Sequence, residues 1–310
     1  MRLVCYNIQD TYKLELTMTS VKETAYAKIN LHLDVLDRRE DGFHSVRTVM
    51  HTVTLSDEIT VSVRPSKKRE ITLSLVGGGK LPTDSRNLAY KAAEMFLDAT
   101  MIDAAVEIRL NKRIPVAAGL AGGSSDAAAT LRALNRVYKK PLSEKRLLSI
   151  AAGLGSDVPF CLLGGTALCL GRGEIIERLP SGLELQLVVA IADEHVSTPI
   201  AYSRLDELYG NFAAPRNDNA DEIFASLMTS IDARELRMKK LFNIFENAVL
   251  PICSGAEAIK RRMIELGATH ALMSGSGPSV FGIFENAQAA ELVANALKRE
   301  GYRAYIAKSV

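Results

Sequence analysis

The chain has 310 residues, which exceeds the usual size of one domain and favours two lobes with a cleft between them. Hydrophobic residues make up 47% of the sequence and charged residues 24%, a globular composition that argues against a disordered chain. The formal charge of +2, from 38 basic and 36 acidic residues, argues against broad nucleic-acid binding, which needs a strong basic excess.

The four cysteines lie far apart and form no C-x-x-C pair, so neither a zinc site nor a disulfide scaffold is indicated. No apolar run approaches the roughly 18 residues of a membrane span. We therefore expect a cytoplasmic monomer or weak homodimer with no nucleic-acid or membrane partner. Residues 1–20 lack the continuous apolar core of a secretory signal, and we interpret them as an N-terminal extension.

The first half of the sequence is rich in β-forming residues. Helical spacing predicts a helix over 87–99, and the glycines at 77–79 mark a break before it. Alternating patterns predict strands at 24–35, 46–54, 59–63, 71–75 and 105–110.

The second half mixes strands and helices without the regular alternation of a doubly wound sheet, which favours an α+β fold. The polar residues 216–219 indicate a loop. Strands are predicted at 185–192, 271–273, 280–284 and 303–307, and helices within 220–266 and over 287–299.

A glycine-rich segment runs from Pro115 to Ser125 and precedes an alanine-rich helix, for which Ser125 and Asp126 are predicted as N-cap residues. Glycines let a backbone approach a polyphosphate, and the amide groups and dipole at a helix start favour its negative charge. The segment fits neither the Walker A nor the G-x-G-x-x-G pattern. It is either a different phosphate loop or a turn needed for close packing.

A second glycine cluster, residues 273–282, lies between two apolar strand patterns. Alone it is typical of a tight hairpin. If it faced the first loop, the two together would form a pocket for a transferred phosphate and favour a kinase.

Three motifs now stand in order along the chain: Ala27 to Leu31, the 115–125 loop and the 273–282 loop. Together they resemble the motifs of the galactokinase, homoserine, mevalonate and phosphomevalonate (GHMP) kinase superfamily. Three further segments, 41–44, 155–160 and 197–202, resemble the branch that phosphorylates 4-diphosphocytidyl-2-C-methyl-D-erythritol in the non-mevalonate isoprenoid pathway.

The resemblance implies a two-lobed α+β fold with an N-terminal lobe like ribosomal protein S5 and a ferredoxin-like C-terminal lobe. We divide the chain into the extension 1–20, an ATP-binding N-terminal domain 21–179 and a C-terminal domain 180–310. The implied reaction moves the γ-phosphoryl group of ATP to the 2-hydroxyl of the cytidylated substrate.

For catalysis, the resemblance makes Asp157 the base that orients the acceptor hydroxyl and takes its proton, with Lys28 as its partner. Without it, Lys28 would be interpreted as a surface lysine at a strand end and Asp157 as a turn or helix cap. By the same resemblance Lys112 lies beside the adenine. The implied ATP-binding residues are Lys112 together with Pro115, Val116, Ala117, Ala118, Gly119, Leu120, Ala121, Gly122, Gly123, Ser124 and Ser125.

The resemblance also places the cytosine between the rings of Phe43 and Tyr202, with His44 hydrogen-bonding the base. Phe43 stands where the family more usually has tyrosine, which keeps the ring face and loses a hydroxyl. Ala121 stands where many relatives have glycine, and we expect a negative φ there. The implied substrate-binding residues are Asn30, Phe43, His44, Asp157, Thr198 and Tyr202.

ATP transfer normally uses Mg²⁺ bridging the β- and γ-phosphates, so Mg²⁺ is expected with ATP, and no protein metal ligand is assigned. Two alternatives stay open. Another kinase of the superfamily should lack the paired aromatic rings and His44, and a nucleotide-binding regulator without activity would not need both Lys28 and Asp157.

Overall fold

A computed structural model describes residues 18–77, 80–180, 182–194, 196–212, 220–232 and 241–310. Several predictions fall at least partly outside these ranges: the N-terminal extension, the glycine break at 77–79, the loop at 216–219 and the helical stretch 220–266. Of the helices that the structure describes, none is both long enough and apolar enough to cross a bilayer.

The first sheet is built on two long antiparallel strands, β1 (Thr19–Arg38) and β2 (His44–Pro65). The two strands predicted within residues 46–63 are parts of β2, so that division was wrong. The register between β1 and β2 shifts between Tyr26 and Ala27. Such a bulge interrupts the alternation of inward and outward side chains, which is why the sequence pattern indicated two strands.

The described residues add five strands to this sheet: β3 (Glu70–Val76), β4 (Ala104–Asn111), β5 (Thr166–Leu170), β6 (Ile175–Arg178) and β8 (Phe242–Asn243). The order is β3–β4–β2–β1–β8, with β5 pairing to β2 and β6 to β5. β3 and β8 are parallel to their neighbours, and the other pairs are antiparallel.

Helices pack against this sheet: α1 (Leu88–Thr100), α2 (Gly122–Val137), α3 (Glu144–Leu154) and α4 (Val158–Leu163). The predicted helix at 87–99 corresponds to α1, whose N-cap Asn87 accepts a hydrogen bond from the Ala89 amide. Fully buried alanines on α2 let it lie close to β1 and α1. Neither α3 nor α4 was predicted from the sequence.

The start of α2 differs from the prediction. Ser125 and Asp126 are predicted as caps, but the helix begins earlier, with Ala121 as its N-cap residue. The Ser125 hydroxyl donates instead to the Tyr26 carbonyl at 2.7 Å, and Asp126 accepts from Lys112. Both side chains are buried and make contacts outside the helix, which a local pattern cannot reveal.

The second sheet consists of β7 (Gln186–Ile191), β9 (His270–Met273), β10 (Ser279–Phe284) and β11 (Arg303–Lys308). Helix α8 (Ser254–Glu265) directly precedes β9, and helix α9 (Ala287–Arg299) connects β10 to β11. The strand order β11–β7–β10–β9 is fully antiparallel and gives the split β-α-β of a ferredoxin-like lobe. The expected α+β class is confirmed. The described residues also form the helices α5 (Thr198–Tyr209), α6 (Ala220–Asp232) and α7 (Phe245–Val249), and two short 3-10 helices at Gly210–Phe212 and Leu250–Ile252.

The two sheets share a hydrophobic core. Ile29 and Leu31 of β1 are fully buried in one cluster with Leu187 and Val189 of β7 and Phe281 of β10. Side chains that are buried on both sides of a junction hold its two halves in a fixed relation. The junction therefore fixes the glycine loops of the two halves relative to each other, although the domain division at residue 180 stays a prediction.

A buried histidine reinforces this junction. The two ring nitrogens of His51 on β2 lie 2.8 Å from the hydroxyls of Thr166 and Ser309. Ser309 also accepts a hydrogen bond from the Leu185 amide, so His51 connects the first sheet to the chain end and to the start of β7. Burial lowers the pKa of His51 to about 4.

This lowered pKa makes stability depend on pH. The unfolded chain takes up the proton first, because its histidine pKa is near 6.5, so stability should fall between about pH 6.5 and pH 4 by on the order of 3 kcal/mol. Urea unfolding at pH 7 and pH 4.5 measures this loss. His51→Gln cannot take up the proton and should flatten the dependence, whereas an equal slope in variant and parent would contradict the assignment.

Candidate active site

The loop between β4 and α2 has an unusual backbone. Ala117, Gly119 and Ala121 all adopt positive φ, at 53°, 76° and 57°. The negative φ expected at Ala121 was therefore wrong. Alanine tolerates this conformation because the turn is held on both sides: Leu120 accepts from the Lys28 amide at 3.2 Å, and the Ala121 carbonyl accepts from Ser125. Ala121 has no side-chain acceptor, so the first amides of α2 remain available to an anion.

The second glycine loop connects β9 to β10 and faces the first. Its hairpin form and its contact with the first loop both agree with the sequence analysis. A Cβ atom on Gly119 would lie 2.1 Å from the Ser274 carbonyl oxygen, so only glycine fits there. The Ser274 hydroxyl donates to the Gly119 carbonyl at 3.1 Å, and Ser279 donates to Ala118.

We predict that Gly119→Ala lowers the free energy of unfolding by at least about 2 kcal/mol, because the new methyl group collides with backbone and φ stays positive. Gly123→Ala is the matched control. A Cβ there would find only Leu88 Cδ1, at 3.7 Å, in a helical position where alanine is favoured. Urea denaturation of both variants is the measurement, and equal changes in the two would contradict the close approach.

Lys28 lies at the meeting point of the motifs. Its side chain is buried, which excludes the surface interpretation. Its Nζ donates to Asn30 Oδ1 at 2.8 Å and to the Gly119 carbonyl at 3.0 Å, and lies 3.8 Å from Asp157 Oδ2. Asp157 stands at the start of α4 with its side chain 32% exposed, and it makes no capping hydrogen bond. A buried ammonium group thus faces a carboxylate that is open to the cavity.

Asn30 connects the strands to the second loop. Its Oδ1 accepts from the Gly275 amide at 3.0 Å as well as from Lys28, and its Nδ2 donates to the Thr48 hydroxyl at 2.8 Å. The Asn30 oxygen therefore holds Lys28 and the second loop, while its amide nitrogen is anchored to Thr48. Its predicted contact with substrate stays a prediction.

Two cavities adjoin at the first loop. The larger, of about 1170 Å³, and the smaller, of about 350 Å³, are both lined by Ala117, Gly119, Ala121 and Ser124. The loop is thus the wall between two compartments. The larger cavity brings together the predicted residues Lys28, Asn30, Phe43, His44, Asp157, Thr198 and Tyr202.

The smaller cavity contains the predicted nucleotide residues. It is lined by Lys112 and by all of Pro115 to Ser124. Ser125 is the exception, because its buried hydroxyl is turned toward Tyr26. The binding role of these residues stays a prediction.

Lys112 sits between two buried carboxylates. Its Nζ lies 2.5 Å from Asp57 Oδ2 and 2.7 Å from Asp126 Oδ2, and the other Asp57 oxygen accepts from the amides of Arg113 and Ile114. Burial raises the pKa of Asp126, against the lowering effect of Lys112. A Cβ on Gly122 would lie 2.9 Å from Lys112 Nζ, so this cluster lies directly against the start of α2.

Aromatic side chains line the far end of the larger cavity. Phe43 is 54% exposed, and the Arg172 guanidinium lies 5.0 Å from its ring centroid. The Tyr202 ring stacks on His44, with centroids 4.6 Å apart and planes inclined by 20°, and meets Phe245 edge-on. Burial raises the pKa of Tyr202 to about 12, which keeps its phenol neutral.

Thr198 lies between this aromatic end and the second loop. Its hydroxyl is 2.9 Å from that of Ser276, so the start of α5 and the second loop are in contact. Thr198 is in the larger cavity as predicted, and its contact with substrate stays a prediction.

Three residues that organise the site were not predicted from the sequence. Asn243 donates from Nδ2 to the carbonyls of Met273 and Gly275, and so anchors the second loop. Asp57 holds Lys112, and Asp206 Oδ1 lies 2.7 Å from His44 Nε2. A signal existed only for Asp206, which follows Tyr202 by four residues and so shares its helix face.

Comparison with known proteins agrees with this architecture. Residues 87–165 match the model of the GHMP kinase N-terminal domain, and residues 221–303 match that of the GHMP kinase C-terminal domain. A 4-diphosphocytidyl-2-C-methyl-D-erythritol kinase from Macrococcus caseolyticus is 40% identical over 90% of this chain and 95% of its own length. The chain belongs to this family of GHMP kinases.

Other relatives agree. The kinase of the same name from Gloeobacter violaceus is 40% identical over 94% of this chain and 95% of its own. A crystal structure of 4-(cytidine 5'-diphospho)-2C-methyl-D-erythritol kinase superimposes with a TM-score of 0.75 at 33% identity, covering 93% of this chain and 98% of that one. Homoserine kinase from Cytophaga hutchinsonii, at 21% identity and a TM-score of 0.72 over 94% of both chains, shares the fold. The resemblance found in the sequence motifs is confirmed.

Proposed function

We propose that this chain transfers the γ-phosphoryl group of ATP to the 2-hydroxyl of 4-diphosphocytidyl-2-C-methyl-D-erythritol, giving the 2-phosphate and ADP in the non-mevalonate isoprenoid pathway. One observation carries the proposal. Lys28 Nζ contacts both Gly119, in the wall between the two cavities, and Asp157, in the larger one. A phosphoryl donor bound in the smaller cavity and a hydroxyl acceptor bound in the larger one would meet beside Lys28 and Asp157.

ATP occupies the smaller cavity, with its phosphates at the amides of the first loop and the start of α2. Mg²⁺ bound with ATP would supply positive charge to offset that of the phosphoryl group being transferred, and no protein side chain is assigned as its ligand. Lys112 stays beneath the loop, where its two carboxylates balance its charge, and contributes its aliphatic stem to the nucleotide side.

Asp157 orients the acceptor hydroxyl and takes its proton as the hydroxyl oxygen attacks the γ-phosphorus. Phosphoryl transfer passes through a loose transition state, so positioning contributes more than basicity. Lys28 stabilises the negative charge that develops between Asp157 and the phosphoryl group. Because Lys28 is held by Asn30 and Gly119, its ammonium group is already in place before substrates bind.

The cytidine end of the substrate lies among Phe43, His44 and Tyr202. A base stacked on an aromatic ring gains roughly 1 to 3 kcal/mol, so exposed Phe43 offers a binding surface that homoserine or mevalonate would leave unused. This feature favours the cytidylated acceptor over the other acceptors of the superfamily. The paired Lys28 and Asp157 favour an enzyme over a regulator that only binds nucleotide.

We further propose that the protein acts in the cytoplasm, as a monomer or weak homodimer and without nucleic-acid partners. The nearly balanced charge of the whole sequence supports the last point.

The direct test is release of ADP from ATP and Mg²⁺ by the purified full chain. Four reactions suffice: the cytidylated methylerythritol, mevalonate, homoserine and no acceptor. We expect turnover with the first acceptor alone. Turnover with mevalonate or homoserine instead would support a kinase but contradict the cytidine-binding pocket. ATP binding without any turnover would favour a regulator.

Asp157→Asn should lower kcat by roughly 10²- to 10⁴-fold while the affinity for ATP changes little, because the amide cannot take the proton and lies on the acceptor side. Phe43→Ala is the matched variant at the other end of the cavity and should raise KM for the cytidylated substrate without affecting ATP. Steady-state kinetics and ATP titration separate the two effects. Unchanged kcat in Asp157→Asn would remove its catalytic assignment.

A further inference from the structure

His44 is held in the wall of the larger cavity by a carboxylate. Its ring is almost completely buried, and Nε2 lies 2.7 Å from Asp206 Oδ1. The other Asp206 oxygen lies 3.5 Å from Nη1 of Arg38. Asp206 and Tyr202 are four residues apart on α5, so one face of this helix presents both the carboxylate and the ring that contact His44.

The carboxylate determines which ring nitrogen carries the proton. An ionised carboxylate only accepts hydrogen bonds, so Nε2 must donate to it. A neutral imidazole has one N–H, and Nδ1 is then left with a lone pair. Arg38 lies beside the other oxygen of Asp206, so Oδ1 is the oxygen that faces the imidazole ring.

His44 lines the larger cavity, and its ring orientation allows this lone pair to meet a base bound there. The planes of His44 and Tyr202 are inclined by only 20° and their centroids are 4.6 Å apart, so the imidazole lies in a layer over the phenol ring. A base stacked on the same face of Tyr202 would lie in that layer, beside the imidazole. The Nδ1 lone pair is in the ring plane and would meet the edge of such a base.

An acceptor at this edge distinguishes the two pyrimidines. Cytosine has a donor there, its exocyclic N4 amine, whereas the 4-position of uracil, like that of thymine, is a carbonyl acceptor. The Nδ1 lone pair pairs with the amine and repels the carbonyl. A proton on Nδ1 would reverse the preference.

We infer that Asp206 is a positioning residue that holds His44 in the tautomer selecting cytidine nucleotides over uridine nucleotides. The inference rests on the proposed function, because it deepens the cytidine side of that site. Asp206 acts through His44 and needs no contact with the substrate.

The test compares binding of CDP and UDP to the full chain by calorimetry at pH 8, in the parent protein and in Asp206→Asn. Arg38 retains the one oxygen of the asparagine, so the amide N–H₂ faces Nε2 and the proton moves to Nδ1. We expect the parent to bind CDP at least tenfold more tightly than UDP, and the variant to lose or invert this ratio. Asp206→Ala, which leaves the tautomer unfixed, should bring the ratio toward one.

Glu257→Gln is the charge-matched control, because Glu257 is exposed on α8 and does not line the larger cavity. It should keep the parent ratio of CDP to UDP affinity. Thermal unfolding of each variant identifies loss of structure, which would weaken the binding of CDP and of UDP by the same factor. The inference would be overturned if Asp206→Asn and Asp206→Ala remain folded and lose affinity for CDP and UDP by the same factor. It would also be overturned if the parent protein binds CDP and UDP equally.

The imidazole nitrogen spectrum of histidine-labelled protein gives a second readout. Nε2–H and Nδ1–H tautomers have distinct nitrogen chemical shifts, and we expect His44 to change from the first form to the second in Asp206→Asn. Turnover of the cytidylated substrate by the parent protein is measured in parallel. If the parent protein turns over the substrate but the ratio of CDP to UDP affinity does not depend on Asp206, this inference alone is wrong. If the ratio depends on Asp206 but there is no turnover, the proposed activity alone is wrong.

Discussion

The close approach of two backbones, at Gly119 and Ser274, is the contact on which the rest of the site depends. The two loops belong to different sheets, and at their contact there is no room for a Cβ atom on Gly119. This contact sets the wall between the two cavities and places the Gly119 carbonyl where Lys28 can donate to it. A methyl group on Gly119 would push the first loop away from the second and so disturb its contact with Lys28.

Buried charge is the second constraint, and it explains why so many polar groups converge. Transferring an ammonium group out of water costs several kcal/mol unless partners replace the lost hydration. Lys28 is compensated by Asn30, Gly119 and Asp157, and Lys112 by two carboxylates. Each set of partners comes from several elements, so each lysine is held in place only when those elements are correctly assembled. The positions that chemistry needs are therefore also positions that the fold specifies.

Sequence patterns were sufficient where structure is local. The helix α9 has the predicted bounds, and the strands β7, β9, β10 and β11 deviate by about one residue, because apolar periodicity and turn residues determine them directly. The short strand β8 lies within the stretch 220–266 that was predicted as helical, and it was missed. The three superfamily motifs and the three further segments were enough to indicate the family. Patterns failed where one element depends on another, as in the bulge of β2, which reflects pairing with β1.

Two further failures have the same origin. The positive φ of Ala121 is imposed by hydrogen bonds from Lys28 and within α2, and no preference of alanine predicts it. Asp57 and Asn243 lie far along the chain from the groups that they hold, and neither belongs to a recognisable motif. The chemistry of the site was readable from its motifs, whereas the residues that support it became visible only from three-dimensional contacts.

The hydrogen bond from the Gly275 amide to Asn30 joins positions that are 245 residues apart. During synthesis, the strand with Lys28 and Asn30 leaves the ribosome long before the loop that completes their hydrogen bonding. The polar groups of Lys28 and Asn30 therefore lack their final hydrogen-bond partners until the second half of the chain has been synthesised and has folded onto the first. Forming such distant contacts late in folding is slow, because the entropy of closing a long chain must be lost before the contact is gained. A fragment of this chain would thus hold one wall of the site and no cleft.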